Sequence, residues 1–188
     1  ISASYSGMNF LPKNDRFGFF PAISFAWKLS EEDWFNKNGV FDDFKIRTSM
    51  GKTGNALGIT QNLNVTKFSG GTGYYFTQNN TYRGGMTEGR YASNGLTYET
   101  SLKYNLGADF SMFNKLEMNV DVFSDQRSNI LVVPENAVSD ILGALKPYKN
   151  IGIVNNKGLE LGVNFYNNIG PLTYYVLGQF SYVKNKII

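Results

Sequence analysis

The sequence predicts an all-β, antiparallel fold on three observations: side chains that alternate in polarity, strands that are long, and connections of very unequal length. The alternation is clearest from residue 116 onwards, where apolar side chains occupy the even positions up to 122 and Glu117, Asn119 and Asp121 stand between them. A strand turns successive side chains to opposite faces, whereas a helix, with a period near 3.6, would scatter them. This stretch therefore predicts a strand with one apolar and one polar face.

The first long strand is predicted at residues 17–29, where the odd positions are apolar, mostly aromatic, and the even ones mostly small or polar. Its length, at about 3.3 Å per residue, is unusual for a soluble strand and suits a tilted strand that crosses a bilayer. Pro21 is unexpected there, since proline within a sheet marks an edge or a bulge. Residues 30–43 open with Ser-Glu-Glu-Asp, which predicts a helix N-terminus and then a connection.

The later elements follow the same alternation. In order, they are a strand at 44–50, a region rich in Gly, Asn and Thr at 53–95 with weak strands at 63–68 and 74–76, a hairpin of 97–112 and 116–124 around a tight turn at 113–115, a long loop at 129–153, a strand at 159–166, a tight turn at 168–171, and a strand at 172–183. The sequence thus predicts an antiparallel meander with one very long excursion.

The lengths of the connections predict which end of the sheet carries the short turns and which carries the long loops. The 30–43 connection and both tight turns fall at one end of the sheet, and the two long loops fall at the other, as in outer-membrane β-barrels. Trp27, Trp34 and Phe35 gather at one rim, as interfacial aromatic residues do. A segment of a membrane barrel is therefore favoured. A soluble β-sandwich with aromatic inner faces stays open as the alternative, because it too hides one face from water.

Composition excludes several classes of function. The 188 residues include no Cys and no His, which removes disulfides, the commonest zinc ligands and the usual triad base. A net charge of +3 with dispersed Lys and Arg argues against a nucleic-acid partner. Gly51-Lys-Thr53 resembles the end of a phosphate loop, but Ile46 stands where that motif needs glycine. The sequence therefore predicts a protein that is not an enzyme, with no catalytic residue, metal or cofactor.

Two groups of side chains are the candidate functional residues. If the apolar faces meet lipid, the charged residues of the polar faces enclose an aqueous lumen. The lumen-facing candidates are Lys45, Arg47, Lys103, Asp109, Glu117, Asp121 and Glu160. Their carboxylates are interpreted as a solvated wall, because nothing in the sequence buries one of them as a glycosidase acid requires. The ligand-binding candidates are aromatic residues of the long excursion, suited to stacking on sugars or contacting peptide: Tyr74, Tyr75, Phe76, Tyr82 and Tyr91.

Six segments in order also carry a resemblance to a known family. They are RFGFFPAISFAW at 16–27 followed by SEE at 30–32, FKIRTSMGKTGN at 44–55, NGLTYET at 94–100, NLGADF at 105–110, NNKGLE at 155–160, and KNK at 184–186. Together they resemble the C-terminal barrel of SusC/RagA-type TonB-dependent outer-membrane transporters of Bacteroidota. Tyr98 departs from this pattern, since the family commonly has Trp there, and residues 125–131 follow it only loosely.

The resemblance implies a function as well as a fold. It implies a 22-stranded barrel of which residues 1–188 supply about a third of the wall, with the plug domain and the final strand outside them. It also implies import of oligosaccharides or peptides across the outer membrane, with a SusD-like surface lipoprotein, outer-membrane lipid and the TonB-ExbB-ExbD complex as partners. A passive porin or structural barrel, and a secreted soluble carbohydrate-binding sandwich, stay open as alternatives.

Overall fold

The computed structural model describes residues 1–35, 40–76, 81–135 and 143–188, with the side chains of Phe76 and Thr81 left out. Within them the backbone forms strands and one short 3-10 helix, Leu29–Glu31. The strands are β1 (Ser2–Gly7), β2 (Phe17–Lys28), β3 (Phe41–Asn55), β4 (Phe68–Phe76), β5 (Thr81–Glu88), β6 (Glu99–Met112), β7 (Leu116–Val132), β8 (Lys149–Ile169) and β9 (Leu172–Ile187). The all-β prediction is confirmed.

The strands form two sheets of very different size. Seven strands pair in the order β1-β2-β3-β6-β7-β8-β9, and every neighbouring pair is antiparallel. The remaining two, β4 and β5, form a separate two-stranded ribbon within the excursion between β3 and β6. The predicted meander is therefore correct, and the excursion leaves the large sheet and returns to it at the adjacent position.

Two strands are longer than their alternation predicts. β7 continues to Val132 and β8 begins at Lys149, so the predicted loop at 129–153 shrinks to 133–148. The register between β7 and β8 shifts near Asn129, whose φ is +58°, so a bulge interrupts the period of two without ending the strands. The predicted turn at 168–171 is likewise only Gly170 and Pro171, because Ile169 already pairs with Leu172.

The predicted weak strand at 63–68 is wrong, whereas the one at 74–76 lies within β4. Residues 61–64 form a turn, Asn62 has a φ of +66°, and the extended backbone starts only at Phe68. Leu63 packs instead against a buried cluster of loop residues. The apolar character of Leu63 is therefore explained by its burial among loops and not by a place on one face of a strand.

Two local signals near β2 have simple physical explanations. Pro21 pairs with Ala3 of β1, while the ladder between β2 and β3 starts only at Ala22, so the ring displaces no partner on that side. Ser30 does not cap a helix: it lies inside the 3-10 turn, is buried, and donates its hydroxyl hydrogen bond to Asp43. The predicted helical turn is present, but it starts one residue earlier.

The large sheet is a single layer. A sandwich required Phe19, Ile23, Val120 and Leu161 to converge on a shared dry interior; instead Phe19 and Ile23 are 58% and 53% exposed, and Val120 and Leu161 are only half-buried. Within the described residues, the other sheet is the small ribbon, which cannot cover this face. The described helix is also far too short to cross a membrane.

The hydrophobic core lies among loops rather than under the sheet. Leu11, Ile59, Leu96 and Tyr98 are buried together, and we call these four residues the loop core. They belong to the connection between β1 and β2 and to the excursion between β3 and β6, which reach the same end of the sheet. Phe20 of β2 packs against them, with its ring 5.5 Å from the ring of Tyr98. The loop core therefore ties the long connections to the wall.

Candidate functional site

The register of the sheet brings the charged candidates together on one face. Lys45 pairs with Asp109, Ser111 with Glu117, and Asp121 with Glu160. Gly107 lies between Arg47 and Asp121 in the same row, and Lys103 pairs with Gly51, four positions along β3 from Arg47. Since residues two apart share a face, all seven predicted residues lie on a single polar face of the sheet.

Arg47 is the centre of the charge network on this face. Its Nε and Nη2 donate to the two carboxylate oxygens of Asp109 at 2.7 and 2.8 Å, and Nη2 also donates to Asp121 at 3.0 Å. Lys45 adds an ion pair with Asp109, with Nζ and Oδ2 3.5 Å apart. The bidentate contact fixes the guanidinium plane, so β3, β6 and β7 are cross-linked through one side chain.

Gly107 makes room for this network. A Cβ atom on Gly107 would stand 2.5 Å from Oδ1 of Asp121 and 2.9 Å from Nη2 of Arg47, which is closer than non-bonded atoms approach. The guanidinium therefore lies directly over the glycine backbone as it crosses from β3 towards β7. The NLGADF segment thus has a geometric role: its glycine accommodates the arginine and its aspartate binds it.

The remaining charges on the polar face line two concavities. Lys103 pairs with Asp125 at 3.7 Å, and Asp125 also accepts a hydrogen bond from Ser101. One concavity, of about 620 Å³, is lined by Ser49, Lys103, Tyr104, Asn105, Phe123, Ser124, Asp125, Asn156, Glu160 and Val183. The other, of about 340 Å³, includes Lys45, Asp109 and Glu117 in its lining. Glu117 and Glu160 are exposed, so this face presents charges, amides and the ring of Phe123 to solvent.

The ribbon formed by β4 and β5 presents most of the predicted ligand-binding aromatics. Tyr74 and Tyr75 are 71% and 70% exposed, and the Tyr75 ring lies 5.2 Å from that of Tyr82, its cross-strand partner. The Tyr82 hydroxyl accepts a hydrogen bond from the backbone N–H of Gly73 at 3.2 Å, which holds its ring across the ribbon. The side chain of Phe76 lies outside the described residues.

Tyr91 is separated from this group. Its hydroxyl donates to Glu88 at 3.1 Å, and its backbone N–H donates to Leu145, so it lies at the base of the ribbon. The hydrogen bond to the Glu88 carboxylate raises the pKa of Tyr91 above its usual value. Tyr91 thus fastens the ribbon to a neighbouring loop, and the exposed pair is Tyr75 and Tyr82.

Sequence reasoning missed the residues that hold the loops in place. The Tyr98 hydroxyl donates to the backbone carbonyl of Arg16 at 3.1 Å, so the residue that departs from the family pattern is buried and hydrogen-bonded. Asn150 receives the N–H of Thr97 and donates to the carbonyls of Thr97 and Asn129. The departure of Tyr98 from the family pattern was the available signal, and Asn150 offered none.

The opposite face of the sheet is apolar and carries aromatic rings near the tight turns. Phe41 lies 5.8 Å from both Phe44 and Phe110, and Phe165 lies 6.2 Å from Tyr174. Trp27 is also on this face, and its indole N–H donates to Glu32 at 2.8 Å. Aromatic rings with a polar neighbour at one end are typical of the boundary between a bilayer and water.

The described residues contain no constellation of catalytic or metal-binding side chains. No group of three or more acidic side chains among them could hold a metal ion. The acidic residues near the centre of the polar face are instead matched by Arg47, Lys45 and Lys103. A surface of such paired charges can bind, exclude or guide polar solutes.

Comparisons with curated proteins find relatives of one kind. The chain is 28% identical over its whole length to TonB-dependent receptor P3 of Formosa agariphila, of which it covers 18%. It is 24% identical over 85% of its length to TonB-dependent receptor SusC of Bacteroides thetaiotaomicron, of which it covers 16%. The chain therefore spans less than a fifth of the length of these relatives.

Solved structures have the same fold. The RagAB peptide importer in its "closed-closed" state matches 98% of this chain with a TM-score of 0.82 at 20% identity, and the match covers 20% of that chain. The "open-open" state matches 93% with a TM-score of 0.72. The model of the family described as TonB dependent receptor-like, beta-barrel, matches residues 2–187. The alternating strands and the single-layer sheet with one apolar face agree with this match, which shows that the chain belongs to the TonB-dependent receptor β-barrel family.

Proposed function

We propose that this chain forms part of the wall of an outer-membrane, TonB-dependent importer for oligosaccharides or peptides. One observation carries the proposal: an extended face of the sheet exposes apolar side chains that no described part of the chain covers. Leu102 and Met112, which bound this face on β6, stand ten positions apart. At about 3.3 Å per residue and a tilt of about 40°, they span about 25 Å, the height of the apolar band of a membrane barrel.

The polar face then lines the passage. In this arrangement Lys45, Arg47, Lys103, Asp109, Glu117, Asp121 and Glu160 point into the lumen of a closed barrel of 22 strands. The paired charges around Arg47 stiffen the wall, while Glu117, Glu160 and the neighbouring amides stay available to a plug or to a passing solute. Because the chain spans less than a fifth of the length of these relatives, we place the plug domain, and its contact with TonB-ExbB-ExbD, elsewhere in the full protein.

The loops and the ribbon then face the outside of the cell. Long loops mark the extracellular rim of such barrels and short turns the periplasmic one. We propose that Tyr75 and Tyr82, with Tyr74 and Phe76 of the same ribbon, contact the substrate, while Tyr91 supports them from the base of the ribbon. We also propose that a SusD-like lipoprotein closes over the same rim. Exposed tyrosines suit this role because a rigid aromatic ring offers contact area at a small cost in conformational entropy.

The orientation of the sheet is tested by labelling single cysteines in a cysteine-free version of the full-length receptor. Asn119→Cys and Val120→Cys are adjacent on β7 and face opposite sides of the sheet. In outer-membrane vesicles, a membrane-impermeant maleimide should modify the first quickly and the second slowly. Both should react equally in detergent with urea. Fast labelling of Val120→Cys and slow labelling of Asn119→Cys in the vesicles would invert the proposed wall.

Import itself is tested by deleting the parent gene and measuring uptake of labelled glycans and peptides. Loss of uptake for one class, restored by the intact gene and abolished by a protonophore, supports energy-coupled import and names the substrate class. The double variant Tyr75→Ala/Tyr82→Ala should weaken that substrate's apparent affinity about tenfold. The matched control is Tyr5→Ala, another exposed tyrosine but on β1. Unchanged uptake of every substrate by the deletion strain would refute the importer.

The second candidate is a passive porin or structural barrel, which the same exposed apolar face also supports. It differs in its energy requirement, because diffusion through an open lumen continues when the proton gradient collapses. Uptake that persists in the presence of the protonophore, at rates that rise linearly with solute concentration, would favour this candidate over the importer.

A further inference from the structure

The charges on the apolar face all have one sign and lie at one end. From the tight turns up to the row that contains Lys52, the cross-strand rows continue from β6 to β9 without a shift in register. Among the described residues of these rows on β2, β3 and β6–β9, the charged side chains on the apolar face are Lys52, Lys157, Lys184 and Lys186. The paired aspartates, glutamates and arginines of these rows lie on the polar face, and Asp42 stands outside the register at the bulge between Phe41 and Asp43.

Three of these lysines form a compact group. Lys157 of β8 pairs directly with Lys184 of β9, and Lys186 lies two positions further along the same face. Cβ atoms of directly opposed residues are about 5 Å apart, and like charges in that arrangement destabilise a sheet. All three side chains are exposed, and none forms an ion pair within the described part of the chain. The described residues therefore supply no anion to this group.

The surroundings of the group indicate which anion fits. In the next row towards the tight turns, Tyr182 pairs with Leu159 on the same face, and Tyr104 lies in the row of Lys157 itself. Tyr182 and Leu159 are exposed. A partner that matches both the three lysines and the exposed apolar row beside them has negative charge at one end and a long apolar tail that runs down the sheet. A lipid with a phosphorylated headgroup has this chemistry, whereas a free anion would leave the apolar row uncovered.

We propose that Lys157, Lys184 and Lys186 form a binding site for the phosphate groups of a lipid headgroup in the outer leaflet. The inference rests on the lipid-facing orientation given above and is independent of import and of its substrate. Lys186 lies in the row of Leu102, at the edge of the apolar band nearer the long loops, and Lys157 and Lys184 lie one row inside it. That edge is the one nearer the extracellular rim of a membrane barrel. Long Lys stems also suit this position, because they cover apolar surface while the ammonium groups reach the headgroups.

The test uses the full-length receptor in lipid nanodiscs. The site variant is Lys157→Gln/Lys184→Gln/Lys186→Gln, and the control is Lys13→Gln/Lys67→Gln/Lys115→Gln, which removes the same charge from exposed loop and turn positions. Native mass spectrometry counts phosphorylated lipids retained from discs of phosphatidylcholine mixed with diphosphoryl lipid A. Thermal unfolding is measured in the same discs, in pure phosphatidylcholine, and in pure phosphatidylcholine with inorganic pyrophosphate.

The unmodified receptor and the control should retain lipid A and unfold at a higher temperature when it is present. The site variant should bind it more weakly, by about fivefold for each lysine removed, and should lose the thermal shift. Equal retention by all three proteins, or equal loss in the control, would overturn the site. A shift with pyrophosphate alone would overturn the lipid as occupant in favour of a free anion.

Two further comparisons keep the result interpretable. If the triple variant does not fold, the single variant Lys184→Gln replaces it. This variant relieves the like-charge repulsion with Lys157, which favours folding, and should still bind lipid A about fivefold more weakly because it lacks one ammonium group. Substrate uptake is measured in parallel, because loss of lipid binding with normal uptake separates this site from the importer proposal. A receptor that shows no uptake but keeps the lysine-dependent lipid binding would refute import and leave the site intact.

Discussion

Substituting arginine for Leu106 tests the orientation of the sheet by its energetic cost. Leu106 is 56% exposed on the apolar face of β6, four positions from Leu102 and six from Met112. With about 3.3 Å per residue and a tilt of about 40°, it lies about 10 Å below one edge of the apolar band and about 15 Å above the other. This depth is close to the bilayer midplane, where a new arginine on the lipid face costs about 2–4 kcal/mol.

The control for this substitution is the neighbouring residue. Asn105→Arg introduces the same side chain one position earlier, on the polar face, where water solvates the new charge. We expect it to change the free energy of unfolding by less than about 0.5 kcal/mol, the usual range for surface substitutions. The pair therefore compares one side chain in two environments that differ only in which face of β6 it occupies.

The assay is equilibrium unfolding of the full-length receptor in lipid bilayers with urea, followed by tryptophan fluorescence and by mobility in unboiled gels. Leu106→Arg should lower the unfolding midpoint clearly, and Asn105→Arg should leave it almost unchanged. If the apolar face met water instead, Leu106→Arg would cost as little as Asn105→Arg. Equal midpoints for the two variants would therefore refute the assignment of this face to lipid.

Two further substitutions test local contacts. Gly107→Val places a side chain against Asp121 and displaces the guanidinium, and we expect a cost of about 1–3 kcal/mol by overpacking, measured by the same unfolding assay. Gly178→Ala is the control, because its added methyl group meets nothing closer than 4.0 Å; an equal cost for both would contradict the steric explanation. Tyr98→Phe removes the hydroxyl hydrogen bond to the Arg16 carbonyl, which keeps its bond from the Met8 N–H, and should cost about 0.5–1.5 kcal/mol. Limited proteolysis of the outer loops should become faster, and an unchanged cleavage rate would show that this hydrogen bond does not hold the loops.

The period of two was sufficient to predict most of the large sheet and the face on which each charge lies. It works for β2, β3, β6, β7 and β9 because one side of each meets an apolar environment, which places hydrophobic residues at every second position. The same signal failed along the first part of β8, where Gly, Asn and Lys interrupt the pattern, and at the bulge near Asn129. Backbone pairing with β7 maintains the strand there, and pairing is invisible in one sequence.

The candidate site could be predicted as a face but not as a set of contacts. Arg47 binds Asp109 and Asp121, which stand 62 and 74 residues away, and this pairing depends on a register that no local pattern records. The loop core was missed for a related reason, since Leu11 and Ile59 lie in loop segments without a period of two and are buried only where distant loops pack together. Among the candidate aromatics of the excursion, the sequence could not separate Tyr91, which fastens the base of the ribbon, from Tyr75 and Tyr82, which are exposed on it.

The ribbon has a consequence for how such receptors diversify. Its two strands satisfy each other's hydrogen bonds, and the contact between Gly89 N–H and the Lys67 carbonyl closes it just below β4 and β5. Residues beyond that closure can therefore be replaced, lengthened or exchanged between paralogues while the seven-stranded sheet keeps its pairing and its charges. On the proposed function, this separates substrate contact from membrane insertion within one polypeptide, so the ribbon can change its ligand while the wall stays the same.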